Sequence, residues 1–200
     1  ITNQACTPGT PNSDTATLTY TPTAGYTGPD SFTYKTSDGV TDSNTATVTI
    51  TVSAGSSSDF FPASISFTRG TVTGGDVSSL NADDNVYYQV GSTGVANPEV
   101  DWVATVNGVP TSPGSIRVVY SAFSSPPTTQ TVWIWRWTTS SWSRLSQGTL
   151  GTGETKLTLQ PSGNASDYVS SSGVVRVRVR YGGTTSPFST SSDLLDISVT

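Results

Sequence analysis

Trp133, Trp135 and Trp137 alternate with Val132, Ile134 and Arg136, and farther along Arg176, Arg178 and Arg180 alternate with Val175, Val177, Val179 and Tyr181. Side chains of a β-strand point to opposite faces at each step, so each set lines a single face. Three aligned indoles either fill a core or make a platform for sugar rings or for another protein. Exposing three of them is costly for a soluble module, so the pattern places at least two in the core. The turn at residues 138–141 then brings Trp142 back beside them. The three guanidiniums read as a solvated face, or as an interface for acidic groups on a neighbour or for the polar edges of a glycan.

Catalytic chemistry finds little material. The chain contains no His, which removes Ser-His-Asp and Cys-His machinery and the common zinc and iron sites. No nucleophile elbow occurs, and no glycine-rich loop opens a helix to hold phosphate. A glycosidase needs two flanking carboxylates, but Glu99 and Glu154 are the only Glu and most Asp residues sit in turn-like segments. No catalytic residue is nominated and no enzymatic activity is expected.

The elements that must position these residues are strands. Of 200 residues, 12% are charged, 33% hydrophobic and 10% aromatic, and Val and Thr recur in alternation, as in strands joined by short turns. A net charge of −5 with few Lys argues against nucleic acid as a partner. No run approaches the ~18 apolar residues of a membrane span. Cys6 has no partner Cys in the chain, so it is read as inert and disulfides do not staple the fold. Ile at the first position marks a processed or cropped product, and the sequon Asn164-Ala165-Ser166 fits an exported protein.

Residues 14–52 read as strand, turn, strand, turn, strand, with Ala46, Val48, Ile50 and Val52 on one face and turns at Gly25 to Pro29 and Asp38-Gly39. A linker follows at 53–58. Residues 59–200 contain nine strand-like runs, at 63–69, 85–90, 100–106, 115–120, 131–138, 142–145, 154–159, 174–181 and 194–199, with no sustained helical periodicity. The expected fold class is all-β.

Two stretches resemble known families. The run LTYTPTAGYTGPDSFTYKTSDGVTDSNTATVTITV, with Tyr20, Pro22, Gly25, Gly28, Asp30, Phe32, Tyr34 and Asp38-Gly39, resembles the C-terminal half of a bacterial immunoglobulin-like or cadherin-like tandem repeat. The runs ASISFTRGTVTGGDVSSLNADDNVYYQV, TQTVWIWRWTTSSWSRL and VVRVRVRYGGTTSPFSTSSDLLDISV are similar to the jelly-roll-like β-sandwich modules that accompany secreted hydrolases and surface proteins. The resemblance implies a partial Ig-like sandwich at 1–52 followed by a jelly-roll-like sandwich at 59–200, in an extracellular or cell-surface protein. It also implies a structural calcium near the joined chain ends, for which Asp83, Asp84 and Asp193 offer hard oxygen ligands. No other cofactor is expected.

An immunoglobulin-like sandwich needs ~100 residues, so the first domain reads as unfinished. Either upstream residues complete it, or a neighbouring subunit adds a strand to its open edge. The leading expectation is therefore a structural or adhesive module whose partners are itself or neighbouring repeats, assembling into a filament by strand complementation. The alternative is an accessory carbohydrate-binding module of a secreted hydrolase, with Trp133, Trp135, Trp137, Arg176, Arg178 and Arg180 as its glycan-binding residues.

Overall fold

A computed structural model describes residues 18–23, 26–37, 40–52, 57–94 and 96–200 of the chain. Cys6, residues 1–13, the turn residues Gly25 and Asp38-Gly39, and most of the expected linker lie outside the described residues. The chain separates into two compact units, Ile1–Gly55 and Ser56–Thr200.

In the first unit, β1 (Gly28–Tyr34) and β2 (Ala46–Val52) pair antiparallel, with Phe32 opposite Val48. Thr47, Thr49 and Thr51 are exposed while Ala46, Val48, Ile50 and Val52 are half-buried, the alternation of a strand with one covered face. The Tyr20 hydroxyl donates to the Asp30 carboxylate at 2.7 Å, which ties the preceding segment to β1. Leu18 to Tyr20, the described end of an expected first strand, lie outside the strands.

The second unit holds β3 (Ser58–Phe60), β4 (Pro62–Arg69), β5 (Thr71–Gly74), β6 (Tyr88–Gly91), β7 (Val100–Val106), β8 (Ile116–Ser125), β9 (Thr128–Arg136), β10 (Ser141–Leu150), β11 (Thr155–Leu159), β12 (Val175–Gly182) and β13 (Ser189–Val199). Two short 3-10 turns, Val77–Leu80 and Ala165–Tyr168, complete it. The strands form two antiparallel sheets, ordered β10-β9-β12-β7-β4 and β11-β8-β13-β6-β5, with β3 pairing alongside β13. This is a jelly-roll-like sandwich, and the chain as a whole is all-β.

Crossing between sheets requires tight corners. Between β4 and β5 the corner is Gly70, at φ +108, where an added Cβ would lie 2.9 Å from Val90 and 3.5 Å from Val100. Only glycine combines that backbone conformation with so close an approach of the two sheets.

The core lies between the sheets. Val100, Trp102, Ala104 and Val106 of β7, Val132 and Ile134 of β9, and Val175, Val177, Val179 and Tyr181 of β12 meet Val118 and Tyr120 of β8 and Leu195 and Ile197 of β13. Trp102 and Tyr120 pack edge to face at 6.0 Å. The buried Tyr120 and Tyr181 hydroxyls hydrogen-bond each other, and Ser192 and Gln130 join them. Burial raises both phenols well clear of titration near neutral pH.

The expectation that two or more of the aligned indoles fill the core is overturned. Val132 and Ile134 are fully buried, whereas Trp133, Trp135 and Trp137 lie on the outer face and are half-buried. The space between the sheets opposite this strand is matched to β-branched side chains, and the indole the core does accept is Trp102, packed against Tyr120. Outside, the indoles cover one another and take guanidiniums over their faces, which reduces the cost of exposure.

Neighbours on one strand should therefore respond differently to truncation. Ile134→Ala is expected to cost about 2–5 kcal/mol by urea denaturation, and Trp133→Ala about 1 kcal/mol or less. Equal losses would contradict the assignment of faces.

Candidate functional site

The strand registers lay the outward side chains of the five-stranded sheet in rows. One row runs Arg144, Trp133, Arg178, Val103, Ser66 from β10 to β4. The next runs Gln147, Thr131, Arg180, Asp101, Arg69. Beside the first, Trp142 stands opposite Trp135, their rings 5.2 Å apart at 73°. The sequence-nominated indoles and guanidiniums, which come from strands far apart in the chain, thus share one face.

Each group is held in place. Arg178 donates from Nε to Asp101 Oδ1 at 2.8 Å and from Nη2 to Oδ2 at 2.5 Å, and lies 5.5 Å from the centre of the Trp133 ring. Arg176 lies 5.1 Å from the Trp137 ring, whose Nε1 donates to the Val174 carbonyl at 3.0 Å. Glu99 pairs with Arg69 at 3.0 Å and with Arg180. Arg144 donates to Gln147 Oε1 at 2.8 Å. Arg136, at the end of β9, is turned away to Asp167 and the Tyr168 ring.

A groove of about 320 Å³ opens on this face, with Trp133 and Thr131 from β9, Arg144 and Gln147 from β10, and Arg180 and Gly182 from β12. It meets a wider depression of about 720 Å³ at Glu99, Arg180 and Gly183, whose far wall is Arg69, Asn97 and Thr184. Gly182 occupies an outward position without a side chain, and an added Cβ would reach Glu99 only at 3.7 Å, so glycine here leaves the trough open. The result is a polar cleft with one indole in its wall and donors and acceptors on both sides. Such a surface can stack a pyranose ring while hydrogen-bonding its hydroxyls.

On the other sheet, a register shift between Ser192 and Leu194 breaks the regular pairing of β13 at Asp193. Ligand atoms of Asp193, Asp83 and Glu154 lie within 4.8 Å of one another. Asp193 is 0% exposed; its Oδ2 accepts from the Asn85 backbone N–H at 3.0 Å while its Oδ1 has no hydrogen-bond partner. Burial raises the Asp193 carboxyl above its ordinary range. Lys156 pairs with Asp83 at 2.7 Å. Asp84 is not in the group: its Oδ1 accepts from the Val86 N–H at 3.0 Å, an Asx turn. Three carboxylates thus converge, one of them with an unsatisfied buried oxygen, and oxygen donors of this kind are what a hard divalent cation such as calcium takes.

Residues 1–51 match the family model described as a bacterial Ig domain. No curated protein matches the sequence. Among solved structures, TmCBM61 in complex with beta-1,4-galactotriose aligns at 13% identity and a TM-score of 0.45, over 67% of this chain and 86% of its own. A structure from a study of promiscuous specificity in β-sandwich carbohydrate-binding modules aligns at 13% identity and a TM-score of 0.42, over 93% and 79%. The family 11 carbohydrate-binding module of a cellulosomal cellulase of Clostridium thermocellum aligns at 9% identity and a TM-score of 0.37, over 87% and 89%. No helix among the described residues is long and apolar enough to cross a membrane.

Sequence reasoning missed Glu99, Arg144 and Gln147 in the groove, Arg69 in the depression beside it, and Glu154 in the acidic cluster. The spacing of Arg144 and Gln147 held no clue, because a register irregularity between Arg144 and Ser146 is what puts both on the outer face. Asn164 of the sequon is exposed at the start of a 3-10 turn.

Asp196, three residues beyond Asp193, is 7% exposed, with no partner for its Oδ1. Burial, reinforced by Asp59, pushes its carboxyl up to about 6. The folded state then binds this proton more tightly than the unfolded state. Its contribution to stability is fullest below the ordinary value of 3.8 and is lost as pH rises through about 6. Asp196→Asn should raise the Tm at pH 7.5 by about 2–4 °C and flatten the thermal-shift profile between pH 4 and 7. An unchanged profile would exclude Asp196 as its source.

Proposed function

We propose that the second unit is a non-catalytic module that binds a polysaccharide chain along the outer face of its five-stranded sheet, within an extracellular or cell-surface protein that also carries the Ig-like segment at 1–51. The observation that carries this reading is the groove itself. Trp133, half-exposed, stands among Gln147, Thr131, Arg144 and Arg180, so an apolar ring surface and several hydroxyl-binding groups face the same space. Stacking of sugar rings on indoles supplies affinity, and the polar edges set orientation.

The carboxylates of this face are committed to guanidiniums. Glu99 holds Arg69 and Arg180, and Asp101 holds Arg178. They serve as fixed acceptors that orient their partners rather than as a free acid and base flanking a glycosidic bond. Self-assembly into a filament by strand complementation gains no support from the family match or from the sandwich of the second unit, and the segment that would exchange lies outside the described residues.

Affinity electrophoresis against a panel of plant and microbial polysaccharides is the direct test. One or more polymers should retard the protein, and Trp133→Ala should weaken that binding by about tenfold or more. Gly182→Val, which fits the backbone but fills the trough, should abolish retardation with little change in Tm. The proposal fails if no polymer retards the protein, or if both variants bind as the parent does.

The acidic cluster on the opposite sheet would hold calcium through Asp83, Glu154 and Asp193, as a brace for β13 rather than as part of the groove. Calcium chloride at millimolar concentration should raise the Tm by several degrees through binding to the folded state alone. Chelator should reverse the rise, and Asp193→Asn should remove it while leaving glycan binding intact. No shift with calcium would dismiss the site.

A further inference from the structure

The charge of the groove face is opposite in sign to that of the whole chain. Net charge is −5, with 9 Lys and Arg residues in total. Five of those cations, Arg69, Arg144, Arg176, Arg178 and Arg180, sit on the outer face of one sheet. Among the described residues, the acidic side chains found with them are Glu99 and Asp101. Those two carboxylates are consumed by three arginines, and Arg144 and Arg176 hold no carboxylate among the described residues. Arg144 bonds a neutral amide and Arg176 lies over an indole.

Such segregation is selective. The opposite sheet carries the cations Arg117 and Lys156 beside the exposed carboxylates Asp83 and Glu154, so the excess of arginine is not a property of the surface in general. Within the groove the two rims are both cationic. Arg144 on β10 and Arg180 on β12 flank β9, which puts their backbones two strand spacings, roughly 10 Å, apart with Trp133 and Thr131 between them. A neutral glycan gives a guanidinium only neutral acceptors. A carboxylate or sulfate on a sugar gives it a charge-assisted, bidentate bond, with less competition from water when the ring beside it is stacked.

We propose that the ligand is an acidic polysaccharide, carrying uronate or sulfate groups, whose sugar rings stack at Trp133 while its anionic groups engage Arg144, Arg180 and Arg176. This rests on the polysaccharide-binding reading above and adds to it the charge class of the ligand.

Affinity electrophoresis with matched polymers separates the two levels. Polygalacturonate, the same polymer fully methyl-esterified, a neutral galactan and a sulfated galactan are compared, with poly-glutamate as an anion lacking sugar rings. The expected result is at least tenfold tighter binding to polygalacturonate or to the sulfated galactan than to the neutral polymers, weakened severalfold as salt is raised. Which of the two anionic polymers is preferred assigns the group as carboxylate or sulfate. Arg144→Gln with Arg176→Gln should remove most of that preference and leave the Tm nearly unchanged, since neither residue holds an ion pair among the described residues. Equal binding to charged and neutral polymers would overturn this inference and leave polysaccharide binding standing. Equal binding to poly-glutamate would overturn it in favour of an acidic protein partner, and no binding to any polymer would overturn both.

Discussion

Burial of Val132 and Ile134 of β9, together with Val177 and Val179 of β12, against the opposite sheet sets the register on which the outer face depends. Side chains in a strand alternate with a period of two, so a slip of one residue would exchange the two faces completely. It would drive Trp133, Arg178 and Arg180 between the sheets and turn the valines to water. Desolvating two guanidiniums away from Asp101 and Glu99 would cost several kcal/mol, far more than any gain from the indole. The groove is therefore a by-product of core packing, and its order follows from the same alternation that makes the sandwich stable.

Charge pairing then sharpens what packing has placed. Asp101, 4% exposed, anchors the guanidinium of Arg178 through both its oxygens. Glu99 does the same for Arg69 and Arg180 across three strands. These bonds hold long side chains at fixed heights above the sheet, so the shape of the cleft is set within the protein itself and its lining keeps little side-chain freedom.

Much of this was legible in the residues. The run of Val and Arg at 175–181 announces both a strand and its two faces, and β7 runs from Val100 to Val106 as its apolar pattern suggests. The short strands β3 and β5 are not legible, because three or four residues carry too little periodicity to stand out. The direction of the tryptophans was misjudged for a physical reason: composition says that an indole prefers burial, but which face of β9 is covered depends on the volume between two sheets. Glu154 was invisible as a partner of Asp193 because β11 reaches that end of the sheet only through its pairing with β8. Cation and carboxylate sets drawn from several strands become a site only when the registers are known.

The pairing of β3 with β13 joins the first strand of this unit to its last, with Ser58 opposite Val199. A pull separating Ser58 from Val199 would load this short ladder at one end and open it a rung at a time, the geometry of a zipper rather than of a sheared plate. Strand β3 would give way early, lengthening the chain ahead of β4, the edge strand of the five-stranded sheet, before any rung of that sheet is loaded. The groove over β10, β9 and β12, at the far side of that sheet from β4, would keep its shape while the first strand yields.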